Sequence, residues 1–236
     1  MCEKCGCSEE TNHAHDAFHE EHGHFMVVEQ DILAKNNQLA SQNQAMFEKE
    51  NVLAFNMMSS PGSGKTTLLA KTITDLNDEM TISVIVGDQQ TDADAKQIQN
   101  SGAQAIQINT GRGCHLDAHM VGHAAEQLTL NENAVVFIEN VGNLVCPALF
   151  NLGEHYKIVV LSVTEGENKP LKYPDMFHSA DLMLVTKMDL LPYVPFDLDQ
   201  CIEYARRINP EIDIITLSVL SGVGLGDWYQ WIRECR

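Results

Sequence analysis

The sequence predicts a three-layer α/β domain, with a mostly parallel central sheet, helices on both faces, an N-terminal helix and a polar tail before it. Three observations carry that expectation. Short apolar runs alternate along the chain with helix-like stretches, and β–α alternation closes into a parallel sheet through crossover helices. Several of the runs are almost continuously apolar, as strands covered on both faces must be. A glycine-rich turn joins the first apolar run to a helical stretch.

Residues 1–25 are polar, rich in Glu and His, and without periodicity, which reads as a flexible tail; residues 26–236 then form the domain. From Val28 to Glu50 the apolar residues Val28, Ile32, Leu39 and Met46 recur at helical spacings, with Lys, Asn and Gln on the other face. This helix is expected to pack on the domain or on a partner. Strands are expected at Val52–Met58, Thr81–Val86, Ala105–Ile108, Ala134–Ile138, Ile158–Val163, Leu182–Val185 and Ile212–Leu217. Helices are expected at Thr66–Leu76, Thr91–Asn100, His115–Leu128, Asp199–Ile208 and Leu225–Glu234. No internal repeat is visible.

The 236 residues suit one such domain plus a tail. With 15 Lys+Arg against 33 Asp+Glu, the net charge is −18. That balance argues against nucleic acid as a partner, because phosphate backbones are bound by displacing counterions with Lys and Arg. It argues equally against docking on an anionic membrane. No apolar run approaches the roughly 18 residues of a membrane span, and the polar start lacks a secretory core. A cytoplasmic location with reduced thiols is expected. The 7 Cys and 10 His then read as metal or catalytic groups rather than disulfides.

The most specific motif is Ser59-Ser60-Pro61-Gly62-Ser63-Gly64-Lys65-Thr66-Thr67, placed after a strand and opening a helix, as a P-loop requires. Gly62 and Gly64 let the backbone curl so that N–H groups face phosphate oxygens, with Ser63 and Thr67 completing the cradle. The helix N-terminus adds favourable partial charge. Lys65 can reach the β- and γ-phosphates, and Thr66 can hold Mg²⁺. Ser59 stands where the usual leading glycine would be.

The base is chosen elsewhere. Thr186-Lys187-Met188-Asp189 follows a strand, and a carboxylate there accepts two hydrogen bonds from guanine. Adenine offers no matching donor pair and would leave the charge of Asp189 unpaired. The stem of Lys187 can cover the base, and the loop opening at Ser218 can close over it. The bland alternative for Asp189 is a helix cap.

Asp88 and Glu139 end strands and are candidates for the Mg²⁺ or the attacking water; Asp92 and Asp94 read rather as helix-start charges. Glu139-Asn140-Val141-Gly142 has the form of a γ-phosphate switch with Glu for Asp, in which Gly142 can donate its N–H.

Cys2, Cys5 and Cys7 place three soft ligands within six residues, suited to Ni²⁺, Zn²⁺ or Cu⁺ with a fourth donor from the N-terminus or a tail His. His13, His15, His19, His22 and His24 add weaker capacity, or simply a solvated face. Cys114, His115 and Cys146 form a second group on weaker grounds. They can share a metal within one chain, share it across a dimer, or be separate packed side chains. Because Cys146 follows the switch segment, a shared metal would feel hydrolysis. His119 and His123 continue at helical spacing from His115 and read as a solvated face; Cys201 and Cys235 read as packing or surface residues.

The segments SSPGSGKTT, ENVGNLVCPA, SVTEGENKPLKYP and GCHLDAHM, with the tail cysteines, together resemble the HypB family, P-loop GTPases of the SIMIBI class that help insert nickel into nickel–iron hydrogenase. The resemblance runs from about Val28 to the C-terminus and includes the tail. It implies slow hydrolysis of GTP with Mg²⁺, and a Ni²⁺/Zn²⁺ site of Cys114, His115 and Cys146 at a GTP-dependent homodimer interface. It implies a tight Ni²⁺ site at Cys2, Cys5 and Cys7. The implied partners are a HypA-type maturation factor, a nickel-storage protein such as SlyD, and the hydrogenase large subunit. Lys169 and Lys172 are candidates for a charge reaching the nucleotide or a second chain. A nickel-storage protein with a vestigial nucleotide site, and a related GTPase serving urease or a cobalamin enzyme, are the competing readings.

Overall fold

The computed structural model describes the backbone of residues 12–236 and side chains from residue 30 onward. Cys2, Cys5 and Cys7 lie outside the described residues, as do the side chains of the five tail histidines. In chain order the elements are α1 (Asn12–Lys49), β1 (Leu53–Ser59), α2 (Lys65–Leu76), β2 (Ile82–Asp88), α3 (Ala93–Asn100), β3 (Gln104–Asn109), α4 (Ala118–Ala125), β4 (Val135–Glu139), α5 (Cys146–Leu149), β5 (Tyr156–Ser162), α6 (Lys169–Lys172), α7 (Pro174–His178), β6 (Leu182–Thr186), a 3₁₀ turn (Met188–Tyr193), α8 (Leu198–Ile208), β7 (Asp213–Thr216) and α9 (Leu225–Glu234).

All seven expected strands are present, in one sheet of order β3-β2-β4-β1-β5-β6-β7. Every pairing is parallel, with Phe55 of β1 opposite Phe137 of β4 and Tyr156 of β5. Period-two alternation sorts the strand residues onto two faces. Phe55, Met57, Val84, Val86, Phe137 and Val160 face a core closed by α2, α3 and α9, where Trp228 is fully buried and its Nε1–H donates to Thr72 Oγ1 at 2.9 Å. On the opposite face Ile85, Val136 and Ile138 meet α4 and Phe47 of α1. Val159, Met183 and Val185 meet α7 and α8 there, with Cys201 in that core as a packing residue, its thiol pushed up to about 12 by burial. With both faces covered, the near-continuous apolar runs are explained. The strand order reverses around β1, so the loops after β1, β2 and β4 gather at one end of the sheet, where α/β sheets bind ligands.

The differences from expectation lie in helices. α1 begins at Asn12, before Val28; apolar periodicity reports a buried stripe and is blind to a polar extension. Its buried stripe from residue 36 is Asn36, Ala40, Asn43 and Phe47, so two of the asparagines expected on the polar face are inside. They are buried because they hydrogen-bond main-chain groups: Asn36 Nδ2 donates to Asn151 O at 2.7 Å, and Asn43 Nδ2 to Ala118 O at 2.7 Å and Leu152 O at 2.9 Å. α4 starts three residues later than His115, because the Asp117 carboxylate accepts the Met120 N–H at 2.8 Å as an N-cap. His115 therefore sits on the preceding loop, off the face of His119 and His123. α5, α6 and α7 were not expected; each is a single turn opened by a proline, too short for periodicity to reveal.

Candidate functional site

The P-loop leaves β1 at Ser59 and ends in α2. Gly62 and Gly64 have φ of 76° and 98°, a region a side chain disfavours, and Gly64 is the N-cap of α2. Ser59, the departure from the usual glycine, has a definite partner: Lys65 Nζ donates to its Oγ at 2.6 Å. Lys65 is buried, and burial lowers its pKa while Glu139, Asp94 and Glu165 work the other way. The loop borders a cavity of about 520 Å³ that also holds Asp88, Glu139, Gly142 and Lys187.

Glu139 ends β4 inside this cavity and accepts the Thr66 hydroxyl at 2.7 Å on Oε1. Its other oxygen is buried without a partner, and so is the Ser63 hydroxyl. Burial pushes the Glu139 carboxyl up to about 7, against the opposing effects of Lys65 and Thr66. Two orphaned buried polar atoms beside a buried lysine are costly on their own. A phosphate with a hard divalent cation would satisfy both, so the residues fit that pair of ligands. Asp88 borders the cavity from β2. Burial raises its pKa, but hydrogen bonds from Thr91 and the Gln89 N–H outweigh this and hold it below the usual range. Asp94 also lines the cavity from α3, in addition to being a helix-start charge, whereas Asp92 pairs with Lys96. Gly142 lies against the P-loop so closely that a Cβ would come 3.0 Å from Pro61 Cα.

On the other side, Thr186 Oγ1 donates to Ser63 O at 2.7 Å and ties the end of β6 to the P-loop. Lys187 adopts a left-handed φ of 59° and donates to Gly62 O at 2.7 Å, laying its stem along the loop. Asp189, in the 3₁₀ turn, accepts the Ser218 hydroxyl, and Ser218 in turn accepts the Ser221 N–H at 3.1 Å. The base motif and the loop after β7 are thus joined. Thr67 lines the cavity beside Thr66.

The second group comes together within one chain. Cys114 Sγ lies 2.8 Å from Cys146 Sγ and 3.5 Å from His115 Nδ1, and the three ligand atoms fall within 4.8 Å of one another. Asn143 joins the two loops: its Nδ2 donates to Cys114 O at 3.2 Å while its Oδ1 accepts the Val145 N–H at 2.8 Å. The His115 ring lies 3.9 Å from that of Phe150. Burial lowers the His115 pKa, against Asp117, which favours the neutral ligating imidazole. The neighbouring Cys146 thiol, then burial, raises the Cys114 pKa. Two thiols and an imidazole suit a borderline-soft divalent metal and leave a fourth position open. His119 and His123, by contrast, are neighbours on an outer face of α4.

Lys169 does reach the P-loop side, 3.4 Å from Ser60 Oγ, and also lies near Glu165 and over the Tyr173 ring. Asn56, Asn140 and Asn143 carry no ionisable signature; Asn140 and Asn143 are hinted at by their place inside the Glu139–Cys146 segment, and Asn56, within β1, by nothing in the sequence.

Residues 53–216 match the family model for the CobW/HypB/UreG nucleotide-binding domain. The hydrogenase maturation factor HypB of Azotobacter chroococcum mcd 1 is 59% identical over 209 residues, covering 89% of this chain and 68% of the relative. The crystal structure of HypB from Helicobacter pylori in complex with nickel superposes with a TM-score of 0.81 at 40% identity, over 85% of this chain and 94% of that one. HypB from Archaeoglobus fulgidus gives a TM-score of 0.80 at 37% identity, over 85% and 98%. On its P-loop fold, its sequence and its likeness to these solved HypB structures, the chain belongs to the HypB family of hydrogenase maturation factors.

Proposed function

We propose that this chain is a GTP-hydrolysing metallochaperone of hydrogenase maturation, which carries nickel at Cys114, His115 and Cys146 and couples its hold on the metal to the nucleotide. The observation that carries the reading is a single segment: Glu139 at one end lines the phosphate cavity, and Cys146 at the other lies against Cys114. Anything that moves the segment on hydrolysis changes the metal geometry.

The placements support a role for each residue. The P-loop N–H groups, Ser63 and Lys65 would hold phosphate, and Thr66, Glu139 and Asp88 would hold Mg²⁺, whose chemistry there would be to offset phosphate charge. Gly142 donates to the γ-phosphate. Asp189 selects guanine, with Ser218 orienting its carboxylate. The nickel complex of the Helicobacter pylori relative supports Ni²⁺ as cargo, and the donor set of the triad suits Ni²⁺ as well as Zn²⁺. The open fourth position suits ligation by a second copy; in this reading GTP favours the homodimer and hydrolysis releases it. The tail cysteines Cys2, Cys5 and Cys7 form a separate tight nickel site. The partners in this reading are a HypA-type factor, a nickel-storage protein such as SlyD and the hydrogenase large subunit, all in the cytoplasm. Among the described residues no helix is long and apolar enough to cross a membrane.

The test is turnover together with complementation. The parent should hydrolyse GTP in preference to ATP, and Lys65→Ala should abolish it. In cells lacking their own maturation factor the parent should restore hydrogenase activity, and neither Lys65→Ala nor Cys146→Ala should. Full restoration by Lys65→Ala would favour nickel storage instead.

A further inference from the structure

Leu116 stands between the two acidic strand ends and the metal triad. It directly follows His115 and is fully buried. Its N–H donates to Asn140 Oδ1 at 3.1 Å, and Asn140 is the residue after Glu139. Its side chain lies on Gly87, where even a single Cβ would come 2.8 Å from Leu116 Cγ, and Gly87 is the residue before Asp88. Each pocket carboxylate that ends a strand is thus one residue from a contact with Leu116, and Leu116 is one residue from His115.

Asn140 is itself held. Its Oδ1 also accepts the Val141 N–H at 3.0 Å, and its Nδ2 donates to Asn56 Oδ1 at 3.2 Å. Asn56, inside β1, donates to Glu154 Oε1 at 3.2 Å, and Glu154 Oε2 accepts the Leu152 N–H at 2.6 Å. Every one of these amide groups is buried or nearly so, so a movement that broke a bond would strand a polar atom away from water. Movement at Glu139 is therefore transmitted rather than absorbed. Asn143 is different in kind: it clasps the Cys114 and Cys146 loops to each other and sets the triad's shape.

We propose that Asn140 and Leu116 are positioning residues that carry the nucleotide state to the metal triad. Glu139 and Asp88 engage the nucleotide's cation, Asn140 and Gly87 displace Leu116, and Leu116 shifts the Cys114–His115 loop against Cys146. This rests on the switch reading above and names its route.

The test measures Ni²⁺ dissociation constants of the tightest site in the full chain carrying Cys2→Ala, Cys5→Ala and Cys7→Ala, so that the tail thiols do not compete with the triad. Each protein is titrated with saturating GDP and with a non-hydrolysable GTP analogue. In the parent background the two constants should differ. In Asn140→Ala their ratio should collapse to one. In Asn143→Ala both constants should weaken while the ratio persists, a pattern that a general loss of packing would not give. Circular dichroism establishes folding. If Asn140→Ala does not fold, Leu116→Ala, which empties the seat on Gly87 and changes no residue that itself lines the cavity, should collapse the ratio in its place. A folded Asn140→Ala, or failing that Leu116→Ala, with the parent ratio overturns the route. A parent ratio of one instead overturns the switch reading itself, and the route with it.

Discussion

Glu139 offers a quantitative test of the cavity. Its carboxyl is buried with one oxygen unpaired, and burial moves its pKa from the ordinary value of 4.5 to about 7 in the nucleotide-free fold. A folded state with the higher pKa binds the proton more tightly than the unfolded chain does. The stability this confers is complete below about pH 4.5 and is lost as the pH rises through 7. At about 1.4 kcal/mol per pH unit, the whole interval is worth roughly 3 kcal/mol, and the part between pH 5 and pH 8 roughly 2 kcal/mol. Glu139→Gln keeps the oxygen that accepts from Thr66 and cannot ionise. Urea denaturation of both proteins, free of metal and nucleotide, should show the parent losing about 2 kcal/mol relative to Glu139→Gln from pH 5 to pH 8. Groups common to the two proteins cancel in that double difference to first order. Parallel pH profiles would refute the burial of an ionised, under-satisfied carboxylate at this position.

Three further outcomes are expected. Asp189→Asn removes the charged acceptor for guanine and should weaken GTP binding roughly 10- to 100-fold by competition titration, while improving binding of xanthosine triphosphate. Gly142→Ala brings a Cβ to 3.0 Å from Pro61 Cα. It should push the switch off the P-loop and cost about tenfold in affinity for a triphosphate analogue beyond any loss for GDP. Trp228→Ala empties a fully buried ring site and removes the indole donor from Thr72 Oγ1, which keeps its own bond to Leu68 O. It should lower stability by about 3–5 kcal/mol in urea denaturation.

The sheet is legible in the sequence because both of its faces are covered: runs such as Val135–Ile138 and Leu182–Val185 have no solvent side to interrupt them. The P-loop and the Thr186–Asp189 motif are legible because phosphate and base each demand particular residue types at a fixed place after a strand. What connects the site is much harder to see. Asn36 and Asn43 look like surface residues of an amphipathic helix until their main-chain partners at Ala118, Asn151 and Leu152 are known. Cys114 and Cys146 are 32 residues apart, and nothing local says that the loops after β3 and β4, strands separated in the sheet by β2, converge. His115 reads as helical in the sequence because periodicity does not mark Asp117, two residues on, as the cap that starts α4. The tail ligands Cys2, Cys5 and Cys7 rest on spacing alone, since they lie outside the described residues.

The central claim is that metal held by Cys114, His115 and Cys146 is linked to the nucleotide, and one set of four affinities tests it. Ni²⁺ binding is measured for the chain with its tail cysteines replaced by alanine, with and without Cys146→Ala, each in GDP and in a non-hydrolysable GTP analogue. The account predicts two different affinities when Cys146 is present, and in its absence weaker binding that no longer depends on the nucleotide. Four equal affinities would contradict it.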